Sequence, residues 1–192
     1  MKIQALFVRS NQELRRVVDQ ISAEQWSIDM PAGMTSKPAT LGESVRYHAY
    51  DDAWVPEVLA GKSAAEVGDK YEELLSTDFD HVTAIYDKYS QLAIESVKDF
   101  EDLERVTHLS YGDFPAKDYL QHIISFRAFR AYDIAKLIGI DPTLPDDLVQ
   151  GLLEEFSPVI EGYRQMGVFP AALEVPGDAT PQQKLMAMVG RE

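Results

Sequence analysis

Apolar residues recur at spacings of three and four along most of this 192-residue chain, and this period constrains the fold more than any other feature. A helix with one buried face requires that spacing, whereas a half-buried strand requires alternation. Sustained alternation is absent, so the sequence predicts an all-α fold. The first stripe predicts a helix over about residues 3–21 and consists of Ile3, Leu6, Phe7, Leu14, Val17, Val18 and Ile21.

Capping signals indicate where the second helix begins and ends. A connector rich in Pro, Gly and Ser runs over residues 30–39, and Thr40 then forms a capping box with Glu43. Gly61 closes the helix, and Pro56 is expected to kink or end it. Its buried face carries Leu41, Val45, His48, Val55 and Leu59.

The third helix is predicted to follow an acidic link and to be capped by Ser76 or Thr77. Residues 107–112 are predicted to be a short extended loop. The stripe of the third helix consists of Phe79, Val82, Ile85, Tyr86, Tyr89, Leu92, Ala93 and Val97.

The fourth helix is predicted to start at Asp113 and Pro115, because a proline in the first turn costs no hydrogen bond. Gly139 ends it. Apolar residues occupy most of its sides, so we expect it to be the most central element. These residues are Leu120, Ile123, Ile124, Phe126, Tyr132, Ile134 and Leu137.

A fifth helix follows, in which Pro158 either introduces a kink or begins a second segment capped by Ser157. Near the end of the chain, Thr180, Pro181 and Gln183 supply a cap, a first-turn proline and a capping-box partner for a last short helix. The apolar residues of the fifth helix are Leu148, Leu152, Phe156, Ile160 and Tyr163.

The length favours one domain, and an apolar content of 45% is enough for a substantial core. Short connections favour antiparallel neighbours. The expected architecture is an up-and-down four-helix bundle over residues 1–166 with additional C-terminal helices. Residues 167–192 form a loop and a short helix packed on the same domain.

The charge balance argues against several classes of partner. A formal net charge of −14 repels phosphate backbones and anionic lipids, so we expect neither nucleic acid nor a membrane as a partner. The chain has no cysteine, which excludes disulfides, thiolate metal sites and cysteine nucleophiles. No signal peptide or spanning segment is recognisable, so a cytoplasmic location is expected.

Among the four histidines, His48 is the best candidate for a functional side chain. It lies on the apolar face of the second helix, about one turn before Asp51 and Asp52. No histidine belongs to an HxxxH or HExxH pair, which are typical of metal-binding helices. Two interpretations stay open: a core histidine bonded to a neighbour, or a lone ligand or base in the interior, where bundle proteins build their sites.

Several stretches resemble the DinB-like superfamily, in particular the actinobacterial branch related to the N-terminal domain of mycothiol-dependent maleylpyruvate isomerase. The resemblance covers nearly the whole chain. The stretches are AEQW at residues 23–26, SVRYHAYDDAWVPEVLAG at 44–61, RVTHLSYGDFPAKDYL at 105–120, AYDIAKLIG at 131–139 and the ending ATPQQKLMAMVGRE.

The resemblance implies a bundle that holds a divalent metal, zinc or nickel, between the second and fourth helices. His48 matches one family ligand. The other two would fall on Phe126 and Arg130, which cannot bind a metal: phenylalanine has no donor atom, and arginine keeps its proton. A divalent ion about 4 Å from a guanidinium would be repelled by roughly 8 kcal/mol at an effective dielectric of 20. The metal site is therefore expected to be degenerate.

One hypothesis is that the guanidinium of Arg130 replaces the metal as a fixed positive charge. Arg130 precedes Asp133 by three residues, so the two are placed to pair along the helix. It would also lie near His48 or reach Asp52, and this pocket would hold a carboxylate ligand without an ion. The alternative is structural, with Arg130 only neutralising buried acids. The candidate pocket residues are His48, Asp52, Phe126, Arg130 and Asp133.

Three functions follow from the resemblance and the residues. The first is a binding protein with an interior pocket for a small anionic ligand. The second is a metal-dependent transferase or isomerase that uses a low-molecular-weight thiol of the mycothiol type. The third is a non-catalytic homodimeric interaction protein, in which the apolar residues of the tail cover a dimer surface or cap the core. These tail residues are Val168, Phe169, Leu173 and Val175.

Overall fold

The computed structural model describes residues 1–31, 34, 35, 37 and 39–192, and most of them are helical. The all-α class is confirmed, with one short β-hairpin added. None of the helices in this described part combines the length and apolar character needed to cross a membrane. The α-helices are α1 (Ile3–Val18), α2 (Leu41–Leu59), α3 (Ala64–Val67), α4 (Phe79–Lys98), α5 (Ala116–Ile138), α6 (Asp146–Phe156), α7 (Ile160–Gln165) and α8 (Pro181–Met188).

The first two helices follow the predicted pattern closely. Helix α1 ends at Val18, three residues before the predicted boundary. Within the predicted connector, residues 32, 33, 36 and 38 lie outside the described residues. The capping box is confirmed: the backbone N–H of Glu43 donates to Thr40 Oγ1 at 3.3 Å, and that of Thr40 donates to Glu43 Oε2 at 2.7 Å. Helix α2 continues past Pro56 to Leu59, and Gly61 follows with a φ of 84°.

The acidic link between α2 and α4 has more structure than predicted. It contains α3 and a 3-10 turn at Glu72–Ser76. Helix α4 begins at Phe79, and Asp78 is its N-cap residue. The prediction of Ser76 or Thr77 as the cap is therefore wrong. The reason is local, because Ser76 already belongs to the 3-10 turn.

The prediction of an extended loop at residues 107–112 is confirmed for the extended backbone and wrong for the loop. An antiparallel hairpin forms instead, in which β1 (Val106–Leu109) pairs with β2 (Gly112–Pro115). Strands of four residues are too short for alternation to be recognised in a sequence. The hairpin also moves the start of α5, since Asp113 lies in β2 and Pro115 becomes the residue that caps α5.

The remaining helix boundaries agree with the sequence. Gly139 ends α5 with a left-handed φ of 77°, a conformation that glycine adopts without strain. Pro158 separates α6 from α7, which begins at Ile160. The terminal capping box is also confirmed, with Thr180 Oγ1 accepting from the backbone N–H of Gln183 at 3.2 Å. Helix α5 is the central element, as predicted, with most of its residues buried.

Two apolar clusters show how the four long helices run. One cluster contains the beginnings of α1 and α5 and the ends of α2 and α4. The other contains the ends of α1 and α5 and the beginnings of α2 and α4. Helices α2 and α4 therefore run in the same direction, opposite to α1 and α5. The expectation that each helix runs antiparallel to the next is wrong for this pair, because the link of residues 60–78 carries the chain back along the length of α2.

The C-terminal residues contribute to the same core. Phe169 and the apolar face of α8 belong to the cluster formed by α1, α5 and α6. Three other tail residues are about 40% exposed, namely Val168, Leu173 and Val175.

A layer of buried polar residues lies between the two apolar clusters. Each of the four long helices contributes to it at the point where the helix passes from one cluster to the other. This layer contains the candidate functional site. Its buried members are Ser10 and Asn11 from α1, His48 and Asp52 from α2, Ser90 from α4 and Arg127 from α5.

Candidate functional site

Arg127 is the centre of the polar layer, and its side chain is fully buried. Its Nε and Nη2 donate to Asp52 Oδ1 at 3.1 and 2.7 Å. Its Nη1 lies 2.6 Å from His48 Nδ1, and its Nη2 also donates to the backbone oxygen of His48 at 3.2 Å. The second carboxylate, Asp51, is 3.9 Å from Nη1. One guanidinium thus connects α5 to three residues of α2.

The contact with Arg127 determines which nitrogen of His48 carries the proton. A guanidinium carries only donors and does not lose its proton, so His48 Nδ1 must accept the hydrogen bond. The ring is therefore neutral, with its proton on Nε2. Electrostatics agree with this assignment, because burial, followed by the charges of Arg127 and Arg130, holds the pKa of His48 well below its usual 6.5.

Two carboxylates share the single cation of the layer. Asp52 is fully buried and takes two of the guanidinium hydrogen bonds, whereas the side chain of Asp51 is 24% exposed. Burial raises the pKa of Asp51 to about 7, since it outweighs the opposing charge of Arg127 and the charge of Asp52 adds to it. Burial would lower the pKa of Arg127, but the charges of Asp52 and Asp51 outweigh this effect and raise it. Arg127 is a permanent cation, and burial raises the pKa of Asp52 as well as that of Asp51.

Three buried polar atoms of the layer have no hydrogen-bond partner among the described residues. They are His48 Nε2, Asp52 Oδ2 and the hydroxyl of Tyr86. Burial, and then the charge of Asp52, raises the pKa of Tyr86. Next to it, Ser90 Oγ donates to Asn11 Oδ1 at 3.4 Å, which connects α4 to α1.

The donor atoms of this layer do not fit the metal that the resemblance implies. A histidine ligates a metal through an unprotonated nitrogen. His48 Nδ1 is occupied by a guanidinium nitrogen at 2.6 Å, and this contact leaves the proton on Nε2. Across the described part of the chain, no three His, Asp or Glu side chains are grouped so that they could hold a metal ion. A cation already fixed beside His48 also repels a second one.

The same contacts correct the hypothesis of a carboxylate ligand beside His48. The fixed cation near His48 and Asp52 is Arg127, one turn before the predicted Arg130. Its donors already bind Asp52 and His48, and it has no exposed surface. With Asp51 ionised, this cluster has one cation and two anions. It therefore does not attract a further carboxylate.

Arg130 and Asp133 lie in a second cluster, one to two turns further along α5. The Asp133 carboxylate accepts two hydrogen bonds from Arg191, at 2.9 and 3.0 Å. Arg130 Nη1 is 3.7 Å from the same carboxylate, and Arg130 Nη2 donates to the backbone oxygen of Met34. The predicted pairing of Arg130 with Asp133 therefore exists as a long contact, and Arg191 is the closer partner.

Phe126 does not belong to either cluster. Its side chain is 49% exposed, whereas the prediction placed it in the pocket with His48. The correction follows from helix geometry: successive residues are rotated by about 100° around the axis, so Arg127 and Phe126 cannot both face α2.

The sequence does contain a signal that Arg127 is buried, although this signal does not by itself select Arg127 over Arg130 as the partner of His48. It lies three and four residues from the buried Ile124, Ile123 and Ala131, so a charged side chain interrupts an apolar stripe. His48 and Asp52 have the same property on α2, at a spacing of four. Charged side chains on a buried face require partners. Arg127, which interrupts the stripe of α5, is the partner of His48 and Asp52, which interrupt the stripe of α2.

His48 lines neither of two surface clefts that are formed by described residues. The larger, of about 420 Å³, is lined by Met34, Tyr132, Asp133 and Lys136, together with residues 190–192. The smaller, of about 230 Å³, is lined by Tyr132 and by residues of α8 and of the segment 173–176. Both clefts lie beside the second cluster.

Comparison with known proteins identifies no relative: no protein-family model, no curated protein and no solved structure matches this chain. The DinB-like resemblance therefore rests on the sequence motifs alone.

Proposed function

We propose that this chain is a metal-independent small-ligand-binding protein of the DinB-like type. The observation that carries the proposal is the 2.6 Å contact between Arg127 and His48, which occupies the Nδ1 atom of the histidine. A guanidinium, a permanent cation, occupies the place beside His48 where relatives of this type would hold a divalent ion. Thiol chemistry that depends on a metal would then have no metal ion at this site.

Ligand binding is the function that the remaining geometry favours. The larger cleft has the volume expected for a small-molecule site, a few hundred Å³, and combines apolar and charged walls. With a net charge of −14, the surface as a whole opposes polyanionic partners, so a small molecule is the better match. A cytoplasmic location remains part of this proposal.

Protein purified without a metal-affinity tag should contain far less than one zinc or nickel ion per chain, because His48 has no unprotonated nitrogen free to bind one. Mass spectrometry of the metal content measures this. His48→Ala should leave the content unchanged, as should the matched control His108→Ala, which removes an exposed histidine. A stoichiometric metal that disappears only in His48→Ala would overturn the proposal.

A second candidate is an enzyme without a metal, and one observation favours it. Asp51 is partly exposed and has a pKa of about 7, which is what a general acid or base needs at neutral pH. A transferase or isomerase that uses a small thiol would then depend on Asp51 rather than on His48. Turnover of a thiol conjugate that disappears in Asp51→Asn would favour this candidate.

The homodimer stays a prediction. Three exposed aromatic side chains, Tyr47, Tyr111 and Phe126, supply apolar surface for a contact between copies. Tyr111 also bonds His122 Nδ1 at 3.0 Å, four residues before Phe126. The molecular mass in dilute solution decides between a monomer and a dimer.

A further inference from the structure

Asp51 carries a negative charge that its neighbours only partly compensate. The guanidinium of Arg127 is 3.9 Å from this carboxylate, beyond hydrogen-bond distance, because its hydrogen bonds go to Asp52 and His48. Burial raises the pKa of Asp51 to about 7, and the charge of Arg127 only partly opposes this effect. With both carboxylates ionised, the layer has two anions and one cation. A further cation beside Asp51 would therefore be stabilised.

Aromatic side chains lie beside Asp51 on α2. Tyr47 precedes Asp51 by four residues and Trp54 follows it by three, so the three share one face of the helix. The ring of Tyr50 is 6.0 Å from that of Tyr47 and 6.0 Å from that of Trp54. The charge of Asp51, followed by burial, raises the pKa of Tyr47, so this phenol group lies near the carboxylate. Tyr47 is 56% exposed, which leaves its ring accessible to a ligand.

A second group of rings approaches Asp51 from the hairpin. Tyr111 lies in the turn between the two strands, is 61% exposed and bonds His122 Nδ1 at 3.0 Å. Its ring is 5.5 Å from that of Phe114 and 5.8 Å from that of His122. Burial, followed by the charges of Asp51 and Tyr47, raises the pKa of Tyr111 to about 12. Two exposed tyrosines from separate elements therefore lie near one carboxylate.

We propose that Asp51, Tyr47 and Tyr111 form a binding site for a small methylated organic cation of the quaternary ammonium type. The carboxylate supplies the opposite charge, and the face of an aromatic ring attracts a cation within about 6 Å of its centre. None of these residues lines the larger cleft, so the inference goes beyond the proposed function.

The composition of the site favours this class of cation over others. A methylated ammonium has no N–H group to satisfy, whereas a primary ammonium brings three donors to a single carboxylate. A metal ion is a poorer match, because the described residues contain no group of three His, Asp or Glu side chains that could hold one. The net charge of −14 favours the approach of cations in general.

Choline chloride, dimethylbutanol and sodium chloride are the probes, compared at pH 8 and constant ionic strength, where Asp51 is ionised. Dimethylbutanol is the uncharged isostere of choline, with carbon in place of nitrogen. Choline should raise the thermal unfolding midpoint by about 3–5 °C at a concentration roughly ten times its dissociation constant, and the other two should not. An equal shift with either of them would contradict the proposal, as would no shift with choline at tens of millimolar.

Variants separate the carboxylate from the rings. Each is compared with its own midpoint without ligand, since Asp51→Asn changes stability by itself. Asp51→Asn should abolish the response to choline, whereas the matched control Asp99→Asn, at an exposed carboxylate, should keep it. Tyr47→Leu should weaken choline binding by about 2- to 5-fold, the loss of one exposed cation–π contact, and Tyr47→Phe should not. Equal binding to Tyr47→Leu and Tyr47→Phe would show that the ring does not take part.

The outcomes also distinguish this inference from the proposed function. If choline binds Asp51→Asn as tightly as the unchanged protein, the site assignment is wrong, whereas the metal-free interior is untouched. If a stoichiometric metal depends on His48, the proposed function fails, and the choline response of Asp51→Asn still decides the cation site.

Discussion

Arg127→Met should lower the free energy of unfolding by roughly 3–5 kcal/mol, the loss typical when one partner of a buried ion pair is removed. The substitution keeps an unbranched, largely apolar stem but leaves Asp52 fully buried without its cation. It also leaves His48 Nδ1 without a donor. Chemical denaturation at pH 8 measures the effect.

The double variant Arg127→Met/Asp52→Leu should recover most of this loss, because apolar residues of similar volume replace a buried ion pair with little net cost. Comparing the single and the double variant separates the cost of the unpaired charge of Asp52 from the cost of the change in packing. Arg130→Met is the matched control on the same helix, and it should show no such loss. If Arg127→Met is as stable as the unchanged protein, Arg127 does not hold the polar layer together.

Asp51→Asn should stabilise the protein at pH 8 and have little effect at pH 4. The pKa of Asp51 is raised from 3.8 to about 7, so the folded state favours the protonated acid. The stability contributed by that proton is complete below the unfolded pKa and is lost as the pH rises from about 4 to 7. Each pKa unit corresponds to about 1.4 kcal/mol, so the gain at pH 8 is on the order of 4 kcal/mol as an upper limit.

His48 makes the free energy of unfolding depend on pH in the opposite direction to Asp51. Its lowered pKa means that the folded state favours the neutral ring, and this contribution is lost as the pH falls below 6.5. Between about pH 4 and 6.5 the two effects oppose each other in the unchanged protein. Asp51→Asn should therefore expose the loss of stability on acidification that His48 causes.

The free energy of unfolding, measured at half-unit steps from pH 4 to 8, tests both statements. The difference between Asp51→Asn and the unchanged protein should rise through this range and level off above pH 7. Asp99→Asn is the control, since the side chain of Asp99 is 87% exposed. A difference that does not vary with pH would mean that Asp51 is ionised throughout and that Arg127 serves both carboxylates equally.

Much of the helical structure could be predicted because its causes are local. The capping boxes at Thr40 and Thr180 satisfy backbone N–H groups within three residues, and Gly139 supplies a left-handed end at one position. The buried face of α2 also follows from spacing alone. The link before α4 and the hairpin after it were missed, because turns and short strands lack a period long enough to recognise.

The sequence by itself determined that His48 lies on a buried face of α2. It did not determine which arginine meets His48. Arg127 and Arg130 are separated by about 60° around α5, and a helix buried on most sides offers no pattern that selects between them.

Only the tertiary structure decided that choice, because it depends on how α5 is rotated against α2 and on the parallel run of α2 and α4. The long link between α2 and α4 allows these helices to run parallel or antiparallel, and the packing of their apolar faces selects the parallel arrangement. The same packing brings Arg191 to Asp133, which is 58 residues away in the sequence, and leaves Arg130 with only a long contact to that carboxylate.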